Sequence, residues 1–165
     1  MPSTLWTPKS YGKKIEPIGS FQELMTHAPH MLVERTLSQH AAYRAAYQSE
    51  IYAVSHWWED KRAPDTQGVQ QAAIIEHVRA DPSIKLVWYD YWSMPHGERS
   101  AAELVRFKGM LGNVNMLYLG YSVLVLLDIS YPSRFWTQFE AWLSMQRALP
   151  DGLGAAPAPR RRAAR

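Results

Sequence analysis

One acid stands alone in an aromatic segment. SRFWTQFEAWL, Ser133 to Leu143, holds a single carboxylate, Glu140, among Phe135, Trp136, Phe139, Trp142 and Leu143. Helical spacing puts residues 136, 140 and 143 on one face. An unpaired carboxylate is costly to bury, so two placements are open. Glu140 lies at its helix edge and pairs with Arg134 or Arg147, or it sits at a pocket rim. At a rim, an aromatic ring can stack a flat ligand while the carboxylate meets a developing positive charge.

Other chemistry-bearing residues fall at the ends of β-prone runs. IYAVS (51–55) leads into Ser55-His56-Trp57-Trp58-Glu59-Asp60. IKLVWYD (84–90) ends at Asp90 and the loop YWSMPHGERS, and SVLVLL (122–127) leads into Asp128, Ser130 and Tyr131. In an open parallel sheet, ligands bind beyond the carboxyl ends of the strands, where strand order reverses. Plainer roles stand beside this one. Glu59-Asp60 reads equally as a solvated helix entry, Trp57-Trp58 as a core plug, and Asp90 as a cap for its loop. Ser55, His56 and Asp90 suggest a hydrolase triad, but the chain has no G-x-S-x-G elbow. His27 and His30 are three apart with no third ligand nearby, so no metal site is expected.

The elements that must position these residues follow from pattern. Residues 1–19 read as irregular. Ser20 with Glu23 is a capping box that opens a short helix interrupted at Pro29. Residues 31–48 have the spacing of an amphipathic helix. VQQAAIIEHVRA (69–80) is helical and stops at Asp81-Pro82, and the Ser100/Glu103 capping box opens a helix to about 117. Strand, helix, strand, helix, strand, helix means a parallel sheet covered on both faces. The expected fold is α/β, a flavodoxin-like three-layer sandwich with strand order 2-1-3, preceded by an N-terminal helix. Residues 1–50 form the irregular and helical lead, 51–148 the α/β domain, and 149–165 a disordered Pro/Ala/Arg-rich tail.

Composition narrows the function class. Cysteine is absent, which removes disulfides, thiol nucleophiles and Cys-type zinc sites. The formal charge is +3, but from Arg147 onward five Arg face one Asp, so the body before it is near −1. A near-neutral body with a basic tail is a poor nucleic-acid footprint. The most apolar run, VLVLLDI (123–129), is far short of the ~20 residues that span a bilayer. A soluble, cytoplasmic protein with no membrane partner is expected.

The same residues resemble the TIR (Toll/interleukin-1 receptor-like) domain family over about 51–146. YAVSHWWED is similar to its first-strand box, an apolar strand, then Ser, then Glu-Asp. LVWYD with SMPHGERS resembles the second strand and its variable loop, and VLVLLDISYPSRFWTQFEAWL the third strand and helix, with Trp136-x-x-x-Glu140 spacing. The chain departs from the family at Trp57-Trp58, and it lacks the two further strands and helices of a full domain. That leaves the third strand an apolar edge in need of a partner.

The resemblance implies a signalling or defence enzyme that cleaves NAD+ at the nicotinamide–ribose bond, with NAD as substrate and no bound cofactor or metal. Departure of nicotinamide leaves an oxocarbenium-like ribose that a carboxylate can stabilise, as in glycosidases. Glu140 would be catalytic. Trp136 would shape the pocket, with Ser55, His56 and Trp57 on the opposite wall, Ser130 at the third strand end, and Asp90 with the 93–100 loop as a gate. Two alternatives stay open: a non-catalytic module that associates with itself or another TIR-like chain, and a nucleoside N-glycosyl hydrolase or transferase.

Overall fold

The computed structural model describes residues 2–8, 17–156 and 161–164, the last by backbone only. Its centre is three parallel strands, β3 (Ile51–Ser55), β4 (Leu86–Trp88) and β5 (Ser122–Leu126). β3 lies between the other two, paired Ile51 with Leu86 on one side and Tyr52 with Ser122 on the other. Every residue of β3 and β4 is buried, as are four of the five in β5. Near-continuous apolar runs are what strands covered on both faces require.

Side-chain alternation along these strands divides the core into two layers. Ile51, Ala53, Leu86, Trp88, Val123 and Val125 pack under α5 (Ala101–Leu111), α6 (Asn115–Gly120) and α7 (Phe135–Ser144) through Met110, Leu117 and Leu143. Tyr52, Val54, Val87, Leu124 and Leu126 pack on the other face. There they meet α3 (Val69–Ala80) through Ile74, Ile75 and Val78, and α1 (Phe21–His27) through Leu24. Both expected capping boxes are made: Ser20 with Glu23 opens α1, and Ser100 with Glu103 opens α5.

The N-terminal fifth departs from expectation. β1 (Pro2–Trp6) forms where an irregular lead was expected, and β2 (Leu32–Thr36) forms inside the expected 31–48 helix, of which only a short α2 (Gln39–Tyr43) is helical. The two strands pair antiparallel from Pro2–Thr36 to Trp6–Leu32. Trp6 then pairs with Val87 of β4, so the sheet runs β2-β1-β4-β3-β5 and is mixed. The architecture is α/β. The expected wholly parallel sheet is not what forms, because pairing of β2 to β1 overrides the helical spacing of a strand whose outer residues are exposed.

The C-terminal side differs too. Where a disordered tail was expected from 149, β6 (Gln146–Leu149) and β7 (Gly152–Ala155) form an antiparallel ribbon. Beyond it, the backbone of β8 (Arg161–Ala164) pairs parallel with β5 along the edge expected to stand open. Among the described residues no helix is long and apolar enough to cross a membrane.

Candidate functional site

The segments after β3 and β4, together with α6 and the first turns of α7, enclose a cavity of about 170 Å³. His56, Trp58, Asp90, Tyr118, Arg134, Trp136, Thr137 and Glu140 line it. α7 presents three different faces to three environments. Phe135, Phe139 and Trp142 stack along its outer side, with ring centroids 5.8 Å apart at each step. Thr137, Leu143 and Ser144 face the core. Glu140 lies between them, with Trp136 one turn before it at the rim and 65% exposed. The acid is therefore on the cavity side of the helix, beside the aromatic stripe rather than within it. No ion pair joins it to Arg134 or Arg147 among the described residues.

A hydrogen-bond chain fixes Glu140. Its Oε2 is 2.6 Å from Ser55 Oγ at the end of β3, and Ser55 Oγ is 2.6 Å from the Tyr131 hydroxyl. Tyr131 in turn donates to the carbonyl of Thr137 at 2.9 Å. The carbonyl only accepts, so the tyrosine hydrogen is committed there and the serine keeps one hydrogen for two neighbours. Ser55 Oγ directs that hydrogen to Glu140 Oε2, in competition with the Tyr131 hydroxyl, and so favours the carboxylate. Burial raises the carboxyl pKa, and hydrogen bonds from Ser55 and Tyr118 with the nearby His56 charge only partly oppose it, leaving it at about 7.

A second buried pair forms the opposite wall. His56 Nε2 is 2.9 Å from Asp90 Oδ1, and Asp90 Oδ2 accepts from Trp58 Nε1 at 2.8 Å. His56 Nδ1 faces the Trp57 carbonyl at 3.2 Å, so both ring nitrogens have acceptors and the imidazolium suits the site. Burial alone would lower the His56 pKa, but the Asp90 charge and hydrogen bond, with Glu140 behind them, hold it above its ordinary value. Asp90 shows the converse: burial would raise it, and His56, His96 and Trp58 hold it below the carboxylate range. The Asp90 amide-side anchor is its own loop, where Tyr91 N donates to Oδ1 at 2.6 Å and His96 Nε2 meets the Asp90 carbonyl at 2.9 Å.

Glu140, His56, Asp90 and Trp136 thus share one cavity, and Ser55 forms its floor through Glu140. Trp57 lies outside it, beneath the Arg134 guanidinium at 4.0 Å. Ser130 is in the turn before α7, where its amide binds Asp128 Oδ1 at 2.8 Å, and it does not reach the cavity. Ser55, His56 and Asp90 do not form a triad. Adjacent strand residues point to opposite faces, so Ser55 meets Tyr131 and Glu140 while His56 meets Asp90. Glu59 and Asp60 fold their own loop, Glu59 accepting from Thr66 N at 2.9 Å and Asp60 from Arg62 N at 2.8 Å. No group of three metal-ligating side chains occurs among the described residues.

Trp58, Tyr118, Tyr131, Arg134 and Thr137 were not singled out as site residues from the sequence. Trp58 had a usable signal, since a strand-end indole N–H needs an acceptor and Asp90 is the acid at the next strand end. Tyr118 had none, because only the packing of α6 against α7 turns it inward. Comparison with protein-family models, curated proteins and solved structures finds no match for this chain.

Proposed function

We propose that the chain is a TIR-like NAD+ nucleosidase, acting in signalling or defence, with Glu140 as the catalytic carboxylate. The observation that carries this reading is the seat of Glu140: a half-buried carboxyl, 2.6 Å from Ser55, at the carboxyl ends of parallel strands beside an exposed Trp136. A flavodoxin-like crevice is supported by the placing of β3 between β4 and β5. In the reaction, the C1′–N bond breaks with its electron pair going to the pyridinium nitrogen, which leaves as neutral nicotinamide. The oxocarbenium-like ribose faces ionised Glu140. Water then adds at C1′ and gives its proton to that carboxylate or to solvent. The leaving group needs no proton, so the ionised carboxylate is the working form.

The test is nicotinamide release from NAD+ by the purified chain, read by chromatography, with Glu140→Ala as comparison. Release lost in the variant supports the assignment. Release that survives it removes Glu140 from the chemistry, and silence in both removes the enzyme reading.

A non-catalytic association module is the second reading, and one observation favours it. Phe135, 69% exposed, stacks on Phe139 and continues to Trp142, 43% exposed, as an open apolar surface. Self-association or a second TIR-like chain would cover it. Concentration-dependent sedimentation of wild type against Phe135→Ser tests this, and a monomer throughout excludes it.

A further inference from the structure

Glu140 accounts for the floor of the cavity and leaves the cation at its mouth unexplained. Arg134 immediately precedes α7, lines the same cavity as Glu140, and is exposed. Its guanidinium lies over the Trp57 ring at 4.0 Å. A planar guanidinium stacked by one face keeps its in-plane N–H fork available, a geometry matched to phosphoryl oxygens. No carboxylate pairs with Arg134 among the described residues. The two acids of the cavity are engaged elsewhere, Glu140 with Ser55 and Asp90 with His56 and Trp58. The position is thus stacked, oriented and electrostatically unanswered.

Size supplies the second argument. Pockets that bury a whole drug-sized ligand start at about 300 Å³, and this one is about 170 Å³. A cavity of that size holds only part of a dinucleotide, and the remainder of such a substrate must extend through the mouth. Arg134 precedes the first turn of α7 and Glu140 lies in its second, so the cation and the acid are set apart along one element.

We infer that Arg134, held flat on Trp57, is a phosphate-recognising specificity residue that selects N-ribosides bearing a 5′ phosphate or diphosphate over unphosphorylated nucleosides. This rests on the N-riboside cleavage proposed for Glu140. It separates a dinucleotide substrate from the nucleoside hydrolase alternative, because an unphosphorylated nucleoside offers the guanidinium no phosphoryl oxygen.

The experiment combines binding and turnover. ADP-ribose and nicotinamide riboside are titrated calorimetrically into wild type, Arg134→Ala and Arg134→Lys at low and high salt. NAD+ and nicotinamide riboside are compared as substrates in parallel. Arg134→Ala is expected to weaken ADP-ribose about tenfold and raise KM for NAD+ with kcat held, while nicotinamide riboside, itself a cation, is not weakened. Arg134→Lys restores part of the loss, since charge survives and the stacked fork does not. High salt erodes the wild-type advantage. Equal ADP-ribose binding by wild type and Arg134→Ala overturns the inference, as does wild type that binds no ADP-ribose. Arginine-dependent ADP-ribose binding without turnover of either substrate upholds phosphate recognition and removes the cleavage reading instead.

Discussion

Ser55 Oγ stands 2.6 Å from Glu140 Oε2, joining the end of β3 to the second turn of α7. The contact is short enough to carry a proton in either sense, and the carboxyl it holds titrates at about 7 instead of 4.5. The ionised form is the one that meets an oxocarbenium, so the rate of nicotinamide release is expected to climb with pH through about 7 and level off above it. A pH–rate profile flat from 5.5 to 8.5 would place another group in that role.

The same displacement costs stability. A carboxyl with a raised native pKa keeps its proton where the unfolded chain has lost its own, so stability falls as pH rises from about 4.5 to 7, and the full deficit persists above. Its ceiling is about 3 kcal/mol. Glu140→Gln keeps an acceptor for Ser55 and has no charge to bury. Denaturant unfolding at pH 8 is therefore expected to show it more stable than wild type, by a margin that vanishes near pH 4.5. An equal margin at both pH values would mean the gain is packing and not charge.

Tyr131 makes a separate test of the proton chain. In Tyr131→Phe the serine hydrogen is no longer divided, goes to Glu140 alone, and favours the carboxylate. The acid limb of the pH–rate profile is expected to move below that of wild type, while the lost buried hydroxyl costs about 1 kcal/mol of stability. A limb that stays put or moves up sinks the proton count.

His56 and Asp90 form a pair whose worth depends on both pKa shifts. The raised His56 pKa contributes stability that is complete below the unfolded histidine value and is lost as pH rises through the folded one. The lowered Asp90 pKa contributes stability present above the unfolded aspartate value and lost as pH falls through the folded one. The pair therefore stabilises most between those limits. His56→Ala strands a carboxylate that is only 22% exposed, and is expected to cost about 3 kcal/mol, the low end for a broken buried pair. Adding Asp90→Asn should cost far less than the sum of the two single changes. Additive losses in that double-mutant cycle would show that the two side chains do not act as a pair.

Legibility in the sequence followed how local each signal was. β5 and β3 could be read because strands buried on both faces are apolar throughout, and α1 and α5 because a capping box lies within four residues. Glu140 could be read because one acid among aromatics is locally anomalous. β1 and β2 could not. Ser3 to Trp6 are buried by β2 and β4, both distant in the chain, and Leu32–Thr36 carries Glu and Arg that satisfy helical spacing equally well. The site beyond Glu140 was half visible for the same reason. His56 and Asp90 end strands and were found, whereas Tyr118 and Arg134 depend on how α6 and α7 lie across the sheet.

That lie depends on one close approach. Gly120, the last residue of α6, sits against α2, and a Cβ there would come within 2.8 Å of both Ala42 Cβ and the Ala42 carbonyl oxygen. Because a backbone atom blocks it, relief requires α6 to shift, and Tyr118, two residues back, would shift away from Glu140 with it. Gly120→Ala is expected to cost about 1–3 kcal/mol and to weaken nicotinamide release beyond what the stability loss explains. Gly109, within α5, has nothing within 4 Å of the same added carbon. Gly109→Ala is expected to gain about 0.5–1 kcal/mol from helix propensity alone. Calorimetric melting of the two variants side by side decides the matter. If both gain, the approach of α6 to α2 is looser than it stands, and Tyr118 is not positioned by Gly120.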